Sequence, residues 1–111
     1  MQGQEIAEKF LIHNGYKILC RNFRSRYGEI DLIAEKDNYT IFIEVKFRKN
    51  LNFGTPAEAV GFVKQQKIIN TALFYISENE TPNQDFRFDI IEVVGEGSCT
   101  NVNHIVNAFS Q

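Results

Sequence analysis

The chain has 111 residues, the length of one domain (1–111), and 43% hydrophobic content with ten phenylalanines can furnish a core. No run approaches the about 20 apolar residues of a membrane helix, and Met1-Gln2-Gly3-Gln4-Glu5 lacks the basic-then-apolar layout of a secretion signal, so no membrane association and a cytoplasmic location are expected. A formal charge of −2, from 12 basic and 14 acidic residues, is not the footprint of a broadly basic nucleic-acid binder; any such surface must come from local clustering.

Residues 4–14 predict a helix, with Ile6, Ala7, Phe10 and Leu11 as its apolar stripe and Gly15 at the residue that ends it. Residues 16–24 read as a first strand. Lys17, Arg21, Arg24 and Arg26 crowd this segment. They are either a solvated face or a track for a DNA backbone, and the track is preferred because it leads into Gly28-Glu29. Cys20 and Cys99 have no CxxC or metal-ligand spacing and read as free thiols, Cys20 buried in the strand. His13 and His104 lie far apart without a cysteine partner, so zinc is not expected.

Residues 28–36 and 39–48 alternate with period two, each with one apolar face and its charged residues on the other. A two-residue turn at Asp37-Asn38 sets Lys36 opposite Tyr39, Asp31 opposite Glu44 and Glu29 opposite Lys46. Directly opposed side chains have Cβ atoms about 4.5–5.5 Å apart, where two carboxylates repel. A hard divalent cation between Asp31 and Glu44 would relieve that repulsion. Lys46, two residues beyond Glu44, projects from the same face and can orient water or stabilise charge on a phosphate. The plainer alternatives are a cross-strand ion pair for Glu29 and Lys46 and a surface carboxylate for Asp31.

Residues 49–54 read as a loop. Thr55, Pro56 and Glu58 form a capping box opening a helix that runs to about Ser77 and mixes apolar residues with Lys64 and Lys67. Residues 78–85 read as a loop, 86–94 as a strand, and 95–97 as a turn. The tail from His104 to Phe109 is either a short strand or one turn of helix. Arg87 and Asp89 share a strand face and are read as a structural ion pair in preference to a phosphate contact. The order α-β-β-β-α-β gives an α/β sandwich with a mixed sheet, and the long crossover helix makes its flanking strands parallel.

The run Gly28-Glu29-Ile30-Asp31-Leu32-Ile33-Ala34, followed by Phe42-Ile43-Glu44-Val45-Lys46, resembles the signature of the YraN family of bacterial proteins (uncharacterised protein family 0102). Phe53 to Val60, Lys64 to Ile68, Arg87 to Ile91 and Asn107-Ala108-Phe109 resemble its later blocks in order. The family is similar in fold to restriction-endonuclease-like proteins of the PD-(D/E)xK type, and especially to archaeal Holliday-junction resolvases. That resemblance implies that Asp31 and Glu44 ligate Mg²⁺ or Mn²⁺ and that Lys46 is the catalytic lysine. It places Lys64 and Gln65 near the site and makes Glu29 an accessory acid. Two positions depart from the family pattern: Gln4 stands where the first helix usually carries Glu, and Phe47 replaces the usual Thr. Glu5 projects away from the stripe, so no third acidic ligand is expected from this helix.

The function expected is therefore metal-dependent hydrolysis of DNA, with branched DNA as one candidate substrate. Arg21, Arg24, Arg26, Arg48 and Lys67 are the expected nucleic-acid contacts. The alternatives are a nucleic-acid-binding protein of the same fold without turnover, and a protein-interaction role in DNA processing. A homodimer would suit symmetric DNA.

Overall fold

The computed structural model describes residues 3–49, 60–79, 84–96 and 99–110. The elements are α1 (Gly3–His13), β1 (Lys17–Ser25), β2 (Gly28–Lys36), β3 (Tyr39–Arg48), α2 (Phe62–Asn79), β4 (Asp85–Glu96) and β5 (Cys99–Phe109). The five strands form one sheet in the order β1-β2-β3-β4-β5. All neighbours are antiparallel except β3 and β4, which the α2 crossover makes parallel. This is the mixed α/β architecture that the element order predicts.

Helix α1 ends where Gly15 permits it. Gly15 has φ +89°, its N–H donates to Ile12 C=O (3.1 Å), and the Tyr16 N–H reaches back to Leu11 C=O (2.9 Å). Lys36 closes the same helix end by donating to Asn14 C=O at 2.8 Å. The β2–β3 hairpin turns on Asp37 and Asn38, both at positive φ (52° and 67°), the geometry of a two-residue turn whose twist suits paired strands. Its register is the predicted one from Lys36 opposite Tyr39 to Leu32 opposite Ile43 and stops there, so the expected pairs Asp31–Glu44 and Glu29–Lys46 are not part of the ladder.

Both faces of the sheet are covered. Leu32, Ala34, Ile41, Ile43 and Val45 pack with Ala7 and Leu11 of α1, while Ile33 and Phe42 pack with Ile68, Ile69, Ala72 and Tyr75 of α2. The second face of β2 and β3 is thus mixed, apolar under the middle of α2 and charged only toward one end. Ile30 departs from the expected alternation, packing in the α2 cluster and not with Leu32 and Ala34.

Three other expectations change. Val60 is a bend, Gly61 lies outside regular structure, and α2 begins at Phe62, so no continuous helix spans Thr55 to Ser77. The capping box of Thr55, Pro56 and Glu58, and the loop before it, lie outside the described residues. The tail is a strand of 11 residues paired along β4. Its period is hidden by a bulge: three β5 residues, 106–108, stand opposite Asp89 alone, with Asn107 at φ 56°. Cys20 is only half-buried. Among the described residues no helix is long and apolar enough to cross a membrane.

Candidate active site

Strands β2 and β3 stop exchanging backbone hydrogen bonds at Leu32 and Ile43. Beyond that point a side chain takes over: the Asp31 carboxylate accepts the Val45 N–H through Oδ2 at 2.8 Å. The Gln4 amide at the start of α1 lies 3.5 Å from the Asp31 carbonyl, so the substituted glutamine reaches the strand that carries the acid. Glu5 is exposed, as the helical wheel requires.

Asp31 and Glu44 share one cavity of about 200 Å³, lined also by Glu29, Lys64, Lys67 and Ile68. Glu44 is buried, with 6% of its surface exposed. Its charge is met by Lys64 of α2, whose Nζ lies 2.5 Å from Oε1, and by Lys46 Nζ at 3.7 Å from the same oxygen. Burial, reinforced by the Glu44 and Glu29 charges, pushes Asp31 up to about 6 against the opposing Val45 hydrogen bond. Burial and the neighbouring Lys64 ammonium hold Lys46 below its ordinary value. Lys64 is raised in spite of its own burial, because the hydrogen bond to Glu44 favours the charged form.

The structure therefore brings together Asp31, Glu44, Lys46, Glu29, Lys64 and Lys67. Gln65 is half-buried and turned back, its amide donating to the Val60 carbonyl at 2.7 Å. Glu29 pairs across to Arg24 of β1 (3.5 Å) at the exposed rim, in place of the anticipated pairing with Lys46. The cationic run of β1 is dispersed. Arg21 binds Glu8 of α1 at 2.6 Å, on the opposite side of the sheet from α2. Arg24 stays beside Glu29, and Arg26 sits at the β1–β2 turn with its guanidinium 5.0 Å from the Tyr27 ring centroid. Arg48 is drawn inward, 2.8 Å from Glu92.

Glu92 is the acid that sequence reasoning passed over. It stands beside Lys46 in the β3–β4 register, is 1% exposed, and accepts from Asn103 at 3.0 Å. A charge inside the run Ile90-Ile91-Glu92-Val93 was the available signal.

Close packing of α2 on β2 holds the site in shape. Gly28 has φ +156°, and a Cβ there would lie 3.3 Å from Thr71 Oγ1 and 3.4 Å from Lys67 Cβ. Gly28→Ala is expected to cost about 1–3 kcal/mol through backbone strain and displacement of α2. A denaturant midpoint unchanged from wild type would contradict this.

The model of the family described as "Uncharacterised protein family UPF0102" matches residues 3–93. The chain belongs to this family. A UPF0102 protein of Caldanaerobacter subterraneus subsp. tengcongensis is 49% identical over 110 residues, covering 96% of this chain and 90% of that protein. Relatives from Nocardia farcinica (50% over 108 residues; 96% and 85%) and Clostridioides difficile (46% over 107 residues; 96% and 92%) are similar in extent. The UPF0102 match runs from α1 into β4 and includes every residue of the cavity.

The cavity can be tested for fit to a divalent cation. Among the described residues no group of three or more His, Cys, Asp or Glu side chains could hold an ion by itself. Two adjoining carboxylates nevertheless fit Mg²⁺ or Mn²⁺, since Mg²⁺ commonly takes one or two carboxylates and completes its shell with water and substrate phosphate oxygens. Glu44 already holds one positive charge, the Lys64 ammonium 2.5 Å from its Oε1.

Proposed function

We propose that this protein is a divalent-metal-dependent nuclease that hydrolyses DNA phosphodiester bonds, branched DNA included, in the cytoplasm. The observation that carries the reading is the placement of Asp31 and Glu44 in one cavity, with Lys46 beside them and two α2 lysines lining the wall. Asp31 and Glu44 would hold Mg²⁺ or Mn²⁺, which when bound polarises a phosphoryl oxygen and acidifies water. Asp31 is fixed for that task by the Val45 N–H. Lys46, its pKa lowered, is suited to hydrogen-bond the attacking water or to neutralise charge developing on the phosphate. Lys64 and Lys67 supply cations for the flanking phosphates, and Glu29 an accessory carboxylate at the rim.

Purified protein is expected to cleave at least one of single-stranded, duplex and four-way-junction DNA in Mg²⁺ or Mn²⁺. Glu44→Gln should lower the rate at least about 100-fold, beyond the loss typical of an outer-shell partner. Equal cleavage by wild type and variant would defeat the proposal. The second reading, binding without turnover, is favoured by Gln4, which brings an amide and no charge toward Asp31. It predicts salt-sensitive DNA binding with no product under any metal.

A further inference from the structure

We propose that the pocket between the β1–β2 turn and α2 binds an unpaired nucleobase, so that the preferred nucleic acid has a single-stranded segment next to the phosphate held in the acidic cavity. The proposal rests on the nuclease reading only in taking nucleic acid as the ligand. The pocket, about 360 Å³, is lined by Tyr27, Asn70, Leu73, Phe74 and Ser77. Tyr27 and Phe74 present rings whose centroids are 6.3 Å apart at 58°, and both are more than a third exposed, as is Leu73. Large apolar groups gathered at the surface mark an interaction site. The walls between them carry an amide and a hydroxyl, Asn70 and Ser77, which can meet the polar edge of a base.

Position and charge decide what occupies it. Lys67 lines the acidic cavity, while Asn70 and Phe74, three and seven residues further along α2, line the second pocket. At about 1.5 Å rise per residue the two sites are about 5–10 Å apart along the helix, the reach of a few nucleotides. Arg26 stands at the pocket edge, its Nη2 donating to the Tyr27 hydroxyl at 2.8 Å. A strand crossing both pockets would find cations for its phosphates and an aromatic platform for a base, the combination used to hold single strands. The platform is preformed. Tyr27 N–H donates to Ser25 Oγ (3.0 Å), Ser25 Oγ reaches Thr71 Oγ1 (3.5 Å), and Gly28 allows the turn to sit against α2. A duplex keeps its bases stacked inside and cannot use such a pocket without distortion.

The test is fluorescence anisotropy of the full chain in a chelator, with a labelled single strand and a blunt duplex of the same length. The single strand is expected to bind at least tenfold more tightly. Tyr27→Ala and Phe74→Ala should each weaken it about 5- to 100-fold with little effect on the duplex. Tyr27→Phe should retain tight binding. Equal affinity for the two DNAs, binding unaffected by either alanine, or no binding at low salt would overturn the proposal. So would concentration-dependent dimerisation abolished by Phe74→Ala with single-strand binding intact, since the pocket would then belong to a second copy. Single-strand preference that survives in a protein showing no cleavage would uphold the pocket while removing the nuclease reading.

Discussion

In metal-free buffer at pH 8, Asp31→Asn is expected to melt higher than wild type by roughly 5 °C or more, and in Mg²⁺ or Mn²⁺ the cleavage proposed above should fall by at least about 100-fold. The two effects have one origin. Burial beside Glu44 raises Asp31 from 3.8 to about 6, so the ionised carboxylate is held at a cost in the native state. Below about pH 4 the group is protonated in both native and unfolded chains and the cost vanishes. Between pH 4 and 6 the native state binds more protons than the unfolded one, and stability falls as pH rises. Above about pH 6 the full penalty stands. A shift of that size corresponds to about 3 kcal/mol. Asp31 is only half-buried, and solvent screening reduces the expected gain to about 1–2 kcal/mol. Asparagine keeps an oxygen for the Val45 N–H and discards the charge. Melting curves of both proteins at pH 4 and pH 8 check this: the difference should be large at pH 8 and near zero at pH 4. A variant less stable than wild type at pH 8 would show that Lys64 and Lys46 already compensate the acid in full.

Asp89→Ala is expected to destabilise the fold by about 3–5 kcal/mol, a large share of the stability of a domain this size. Asp89 is fully buried. Arg87 Nε and Nη2 donate to its two oxygens at 2.9 Å each, His104 Nε2 lies 2.7 Å from Oδ2, and the Asn107 N–H donates to Oδ1 at 2.9 Å. Although burial alone would raise its pKa, the His104, Arg87 and Asn107 partners hold Asp89 below its ordinary value. Its contribution is therefore complete above the unfolded value near 4 and is lost as pH falls below that. Removing the carboxylate strands the Arg87 guanidinium and frees the Asn107 N–H that shapes the β5 bulge. Urea unfolding at pH 7 should show the loss, and the deficit should shrink toward pH 3. A loss under 1 kcal/mol would mean that Arg87, also bonded to the Tyr16 hydroxyl at 3.0 Å, re-forms its contacts without Asp89. The sequence reading of Arg87 and Asp89 as a structural pair agrees with this geometry. The partners His104 and Asn107 were not legible, since nothing local links them to Asp89.

The parts of the fold that could be read directly are those with a local cause. Alternation through residues 32–43, with Asp37-Asn38 between, leaves one register that buries Leu32, Ala34, Ile41 and Ile43 together; Asp31 and Glu44 lie just beyond it, where the Asp31 carboxylate accepts the Val45 N–H. Gly15 at the end of α1 was legible for a similar reason, since a left-handed residue there favours glycine. Tertiary structure decided the rest. The start of α2 at Phe62, the pairing of the tail as β5, and the divergence of Arg21, Arg26 and Arg48 to three different surroundings all depend on contacts between distant segments. So does the meeting of Lys64 with Glu44, 20 residues apart in sequence. A repeat of two or a turn dipeptide acts on its immediate neighbours, and the hairpin it set ends one residue short of Asp31 and Glu44. The charges around them were set by which helix packs on which face, a choice made by the burial of the whole sheet.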